Sequence, residues 1–300
     1  MQKSKAMMLA AVDIGSNAVR VLFGQVIEHK GKNPIYKKRE LLRMPIRLGE
    51  DSFLNGKISK RQEERLISAM KAFSELRKVF EIKAYRACAT SAMRDATNGK
   101  EVIERVKEES GIKIEIIEGK TEAELIFANH IEDTLNPSDN YLYIDVGGGS
   151  AELTLLSGKK VINSKSFNVG TIRMLHQKIE KEEWDEFKSW IKKNTEDFKP
   201  LIGIGSGGNI NKLFKMAGKK ENKHLTYDKI KEMSDMLNSH TVEERVEVLG
   251  LNPDRADVIL PATKIFLTAM KHADIQKIIV PQIGLSDGIL HDLYEKMKSS

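Results

Sequence analysis

The feature that most constrains this chain is a short signature that occurs twice. Near the N-terminus the residues run Val12-Asp13-Ile14-Gly15-Ser16-Asn17-Ala18-Val19-Arg20-Val21-Leu22. In the second half they run Ile144-Asp145-Val146-Gly147-Gly148-Gly149-Ser150-Ala151-Glu152-Leu153-Thr154. The two aspartates stand 132 positions apart (145 − 13). Each copy reads as an apolar strand that delivers a carboxylate to its end, a tight turn of small residues, and a second strand. One such hairpin is an ordinary turn. Two at a domain-sized separation, each opening a similar run of elements, are what gene duplication leaves behind.

The turns have a chemical logic. Glycines let the chain reverse and bring backbone N–H groups close to an anion where a Cβ would obstruct. Ser16, Asn17 and Ser150 add side-chain donors. Asp13 and Asp145 are too acidic to hold phosphate directly, so their expected role is to hold Mg²⁺ or its waters beside phosphate oxygens.

Around the hairpins, strands and helices alternate, which predicts an α/β fold. Strands are expected at 8–14, 19–27, 35–44, 83–88 and 112–117, with helices at 60–79, 98–110 and 120–133. Leu135-Asn136-Pro137-Ser138-Asp139-Asn140 is rich in turn formers and marks the expected boundary between domains 1–134 and 135–300. Strands at 141–146, 151–157, 160–167, 200–205 and 276–280 follow. The helices of this half are expected at 169–179, 181–195, after Gly207-Gly208, and at 226–238, 241–249, 255–272 and 286–298. The last of these has room to pack back on the first domain.

The chain has 300 residues, a net charge of +6 and a pI near 9.1. Such an excess favours acidic ligands without choosing among them. No nucleic-acid motif accompanies it. Lys-rich runs such as 215–223 read as solvated loops. No stretch approaches the ~18 apolar residues of a membrane span. The apolar start is cut short by Asp13, so it reads as a strand rather than a signal-peptide core. Cys88 is the only cysteine, excluding an internal disulfide and fitting a reducing cytoplasm. In its apolar run it reads as a buried structural thiol rather than a nucleophile. The seven histidines lack metal-ligand spacing. Trp184 and Trp190, on a charged helical stretch, are expected to pack rather than stack on bases.

Six ordered blocks carry a resemblance. They are Ala11–Asn17, Ala89–Asn98, Glu118–Phe127, Ile144–Leu153, Gly203–Gly208 and Arg255–Pro261. In this order, over nearly the whole chain, they resemble the exopolyphosphatase/guanosine pentaphosphate phosphohydrolase (Ppx/GppA) family of the actin-like ATPase superfamily. The resemblance implies two duplicated actin-like (ribonuclease H-like) domains with an interdomain cleft. It also implies a short form without the C-terminal helical domains, one of them HD-type, of longer members. Many members have two adjacent acids where this chain has Thr121-Glu122, and the family's base corresponds to the second, Glu122.

By the same resemblance the chain is expected to release the terminal phosphate from inorganic polyphosphate or pppGpp with Mg²⁺, in the cytoplasm, with homodimers common among relatives. Glu122 is the expected base, and Arg94 the residue that offsets transition-state charge. Asp145 and Glu152, with Asp13, are the expected metal ligands. Gly15, Ser16, Asn17, Gly147, Gly148, Gly149 and Ser150 would hold phosphate oxygens. Arg20, in the slot equivalent to Glu152, is either a phosphate contact or a partner for an acid. The loop Gly205-Ser206-Gly207-Gly208 could bind a nucleotide, cradle a distal phosphate, or only close strand onto helix; it fits neither the P-loop nor the dinucleotide pattern. Two other functions share these loops: an ATP-dependent small-molecule kinase, and a non-catalytic binder of polyphosphate or an alarmone.

Overall fold

The computed structural model describes residues 5–29, 31, 33–127, 135–218 and 224–299. The expected helix tail at 128–133, and residues 219–223 of the Lys-rich run, lie outside the described residues. The chain divides into two units, Met1–Asn129 with Leu285–Ser300, and His130–Gly284.

The first unit is built on strands β1 (Lys5–Ile14), β2 (Val19–Glu28), β3 (Ile35–Met44), β4 (Ala84–Ala89) and β5 (Glu115–Ile116), in the order β3-β2-β1-β4-β5. Antiparallel ladders join β1, β2 and β3; β4 runs parallel to β1 and β5 parallel to β4. β1 is apolar on both faces because both are covered. Ala10, Val12 and Ile14 share a core with Val19, Val21 and Phe23. Leu66, Met70 and Phe73 of the helix Lys60–Val79, and Val102 and Val106 of the helix Gly99–Ser110, complete it. Ser59 starts the first of these helices by accepting a hydrogen bond from the Gln62 amide. Leu9, Ala11 and Leu22, also buried, alternate to the opposite face. That face is covered by the last helix, Leu285–Ser299, which packs on β1, β2 and β4 and buries Ile289 and Leu290.

The second unit repeats the plan with β6 (Asn140–Val146), β7 (Ala151–Ser157), β8 (Lys160–Phe167), β9 (Leu201–Ser206), β10 (His224–Thr226) and β11 (Lys277–Ile279), ordered β10-β11-β9-β6-β7-β8. Again the first three strands are antiparallel, and β9 and then β11 are added in parallel. The duplication reaches the irregularities. The β2/β3 register slips after Phe23 and the β7/β8 register after Leu155, each ten residues beyond its hairpin aspartate (23 − 13 and 155 − 145). This strand order, repeated with an antiparallel second strand, is the duplicated ribonuclease H-like plan of the actin-like fold.

Ile265, Phe266, Ala269 and Met270 of the helix Ile259–Ala273 centre the second core. Trp184 stacks on Phe187 at 5.4 Å and Trp190 meets Phe167 edge-on at 5.9 Å, so both tryptophans pack. The expected helix 255–272 is broken into Pro253–Ala256 and Ile259–Ala273. Pro261 explains the break, since its missing N–H and its ring exclude a continuous helix through Asp257. The expected strand 112–117 shrinks to Glu115–Ile116; the Lys113 amide donates to the Tyr85 hydroxyl at 3.0 Å instead of to the β4 backbone. Two short helices, Leu48–Asn55 and Ser91–Asp95, were not foreseen.

Ile289, on the last helix, is fully buried. Ile289→Ala is expected to cost about 2–5 kcal/mol of stability through the cavity it leaves, read by urea denaturation.

Candidate active site

In the first hairpin Gly15 N donates to Ala18 O at 3.1 Å, closing the turn between β1 and β2. Asp13 stands directly opposite Arg20 in the ladder, and opposite residues share a face. Arg20 Nη1 donates to Asp13 Oδ2 at 2.7 Å, with the aspartate side chain only 4% exposed. Arg20 is thus ion-paired with an acid across the ladder. Ser16 is buried, its Oγ 3.0 Å from Ser91 Oγ, and its carbonyl accepts from Gly49 N at 2.8 Å. Asn17 follows it in the turn.

The second hairpin closes in the same way, Gly147 N donating to Ser150 O at 2.9 Å. Its charges differ. Asp145 stands directly opposite Glu152, and both are buried. Ser166 Oγ donates to Glu152 Oε1 at 2.8 Å. Two carboxylates face to face repel unless a proton or a cation intervenes.

The backbone of this turn is anchored from one side. The Gly147, Gly148 and Gly149 carbonyls accept from Thr171 N (3.0 Å), Ile172 N (2.8 Å) and Arg173 Nε (2.8 Å). In a trans peptide the next N–H points opposite to the carbonyl. The N–H groups of Gly148, Gly149 and Ser150 are therefore aimed away from the helix Thr171–Leu175. Thr171, Ile172 and Arg173, which do this work, were not singled out from sequence. A glycine immediately before a helix start was the available signal.

The Gly205–Gly208 loop belongs to the same unit. Ser206 lies opposite Asp145 across β6 and β9, and its Oγ donates to Ile283 O at 3.2 Å. Gly207 has φ +101°, and a Cβ there would lie 2.9 Å from Val146 O and 3.1 Å from Asp145 Oδ1. The Gly208 carbonyl accepts from Arg255 Nη1. Close packing of this loop on Asp145 is thus one of its functions.

Glu122 and Arg94 lie in the first unit. Glu122 is buried in the first turn of the helix Gly119–Phe127. Arg94, on the helix Ser91–Asp95, donates from Nη1 to Ile117 O at 2.7 Å, two residues before Gly119. Only one of the five guanidinium N–H donors is spent there. Cys88 is fully buried; burial first, then its 3.2 Å hydrogen bond to Glu115 Oε1, push the thiol far above its ordinary pKa, so it is a neutral structural group.

Among the described residues, no group of three or more His, Cys, Asp or Glu side chains could hold a metal ion. A pair such as Asp145 and Glu152 still suits Mg²⁺, whose hard oxygen shell is commonly one or two carboxylates completed by water and phosphate. No described helix is long and apolar enough to cross a membrane.

Fold and hairpins together define a duplicated actin-like protein with an acid-and-glycine turn at the start of each unit. The Ppx/GppA phosphatase family model matches residues 40–297, and the chain belongs to that family. It is 32% identical over 299 residues to the bifunctional 3-dehydroquinate synthase/phosphatase of Fusobacterium nucleatum, covering 91% of this chain and 44% of that protein. The chain thus spans less than half the length of this relative. To exopolyphosphatase 1 of Mycobacterium bovis it is 24% identical, covering 95% of this chain and 87% of the relative. The crystal structure of the Aquifex aeolicus Ppx/GppA family member superposes with a TM-score of 0.74 at 27% identity, covering 99% and 100% of the two chains.

Gly207→Ala is expected to destabilise the protein by about 1–3 kcal/mol, because it forces a side chain into a left-handed backbone against Asp145. A melting temperature lowered by several degrees would register it; an unchanged one would contradict the argument.

Proposed function

We propose that this chain is a phosphohydrolase that releases the terminal phosphate of inorganic polyphosphate, pppGpp, or both, with Mg²⁺ as cofactor. Membership in a phosphatase family supports the reaction class. The likeness to an exopolyphosphatase over most of both chains supports the polyphosphate reading. The family resemblance supports pppGpp.

One observation carries the proposal most directly. The second hairpin aims three successive amides away from the helix that anchors their carbonyls, next to two buried carboxylates of like sign. Amides so fixed suit phosphate oxygens, and the carboxylate pair suits a divalent cation. Bound there, Mg²⁺ would neutralise charge on the phosphate oxygens.

The residues then divide the work. Glu122 takes a proton from the attacking water at Oε1 or Oε2. Asp145 and Glu152 hold the cation, with Asp13 ion-paired to Arg20 and so secondary to them. Amides and hydroxyls at Gly15, Ser16, Asn17 and at Gly147, Gly148, Gly149, Ser150 orient the chain end. The Arg94 guanidinium, hydrogen-bonded to Ile117 O and ion-paired through Nε with Asp95 at 3.9 Å, offers its remaining N–H groups to oxygens that gain charge in the transition state. Gly205, Ser206, Gly207 and Gly208 support Asp145 from behind and lend amides to a further phosphate. The chain acts in the cytoplasm, and two copies associate as a homodimer.

The test is phosphate release from long polyphosphate, tripolyphosphate, pppGpp and ATP, compared side by side with Mg²⁺. Free phosphate in the absence of any acceptor is expected. Phosphate appearing only on an added acceptor would point to a kinase instead. Glu122→Gln is expected to lower turnover roughly 10²–10⁴-fold while substrate binding survives. A loss under tenfold at unchanged stability would move the base elsewhere. Excess chelator is expected to abolish turnover, and readdition of Mg²⁺ to restore it; full activity in chelator would refute the metal assignment.

A further inference from the structure

The residue that braces the helix of Glu122 comes from the far end of the chain. Gly288 sits in the first turn of the last helix, Leu285–Ser299, and faces the backbone of the helix Gly119–Phe127. A Cβ at Gly288 would lie 1.7 Å from Leu125 O, 2.5 Å from Leu125 C and 3.2 Å from Ile126 N. These are backbone atoms, which cannot swing aside as the tip of a side chain can. Leu125 lies three residues beyond Glu122, on the same short helix.

The last helix is fixed on its other sides. Asp287, beside Gly288, is buried and ion-paired with Lys38 at 2.7 Å. Asp292 is ion-paired with Arg86, and the Tyr294 hydroxyl donates to Glu28 at 2.9 Å. Leu290 lies against Gly24 of β2. A rigid element therefore packs on the Glu122 helix, and at Gly288 the two meet backbone to backbone where only hydrogen fits.

Resting on the reading of Glu122 as the base, we infer that Gly288 is a positioning residue for it. The contact sets how far the Glu122 helix stands from the sheet, and hence where the carboxylate lies relative to the attacking water. A proton transfer of this kind tolerates displacements well under 1 Å. The substrate-holding turns are elsewhere, so the contact governs turnover rather than affinity.

The experiment compares Gly288→Ala with Gly24→Ala in the phosphate-release assay. Both add a methyl at a close contact of the last helix. At Gly24 the methyl would meet the flexible tip of Leu290, the nearest carbon 2.5 Å away, on the sheet side of that helix. At Gly288 it meets the Glu122 helix itself. Gly288→Ala is expected to lower kcat at least tenfold with KM within twofold of wild type, and to shift the acid limb of the kcat–pH profile. Gly24→Ala is expected to keep kcat within twofold. Equal losses in the two variants, or full kcat in Gly288→Ala, would overturn the inference.

Should Gly288→Ala fail to fold, Asp287→Ala supplies the second reading by cutting the ion pair beside the contact. A threefold or greater fall in kcat at constant KM supports the role, and an unchanged kcat overturns it. Glu122→Gln run in parallel separates the two levels. If Glu122→Gln remains fully active, the assignment of the base has failed; if it is silent while Gly288→Ala is fully active, only the brace has.

Discussion

The structure depends on the register of two hairpins. In each, the residue seven positions beyond the aspartate lies directly across the ladder and shares its face. That geometric fact turns one substitution into an electrostatic decision. With arginine in the slot, Asp13 is neutralised by a 2.7 Å charge-assisted hydrogen bond. With glutamate in the slot, Asp145 gains a second negative charge beside it in a buried setting. Duplicated frames have thus diverged in charge while keeping the same turn closure, the same strand order and the same register slip.

Around that frame the loops are held mainly through their main chain. Three carbonyls of the Gly147–Gly149 turn are tied back, and Gly207 presses on Asp145 with only a hydrogen between. Arg173 and Arg255 both spend guanidinium donors on backbone carbonyls of these loops. Groups fixed in this way need little reorganisation when charge arrives, which is the condition for strong electrostatic stabilisation. Backbone amides also avoid the rotamer entropy that a lysine or arginine would lose on holding an anion.

Much of this was legible beforehand, for a definite reason. A carboxylate followed by a glycine turn between apolar strands has few other interpretations, and the repeat removed most of them. Helix Lys60–Val79 was legible from its apolar spacing. What stayed hidden was tertiary. Nothing local tells that the Tyr85 hydroxyl captures the Lys113 amide. The anchoring of the glycine turn by Thr171, Ile172 and Arg173 was equally hidden, because hydrogen bonds across more than twenty residues leave no periodic trace. The role of Gly288 was hidden because a glycine needed for close approach looks, in sequence, like any helix-weakening glycine. The split at 257–258 was readable in principle from Pro261, and the helical periodicity on either side concealed it.

The last helix has a consequence for how the molecule is made. It belongs to the unit whose other residues precede the second unit in sequence, and its Tyr294–Glu28 hydrogen bond spans 266 positions. Until residues 285–299 are synthesised, the β1–β2–β4 face carrying Leu9, Ala11 and Leu22 lacks the helix that covers it. The second unit, continuous in sequence, can complete its core while the first still waits. The first unit therefore closes only after the second has been synthesised, and in that interval an apolar sheet face is open to chaperones and to aggregation.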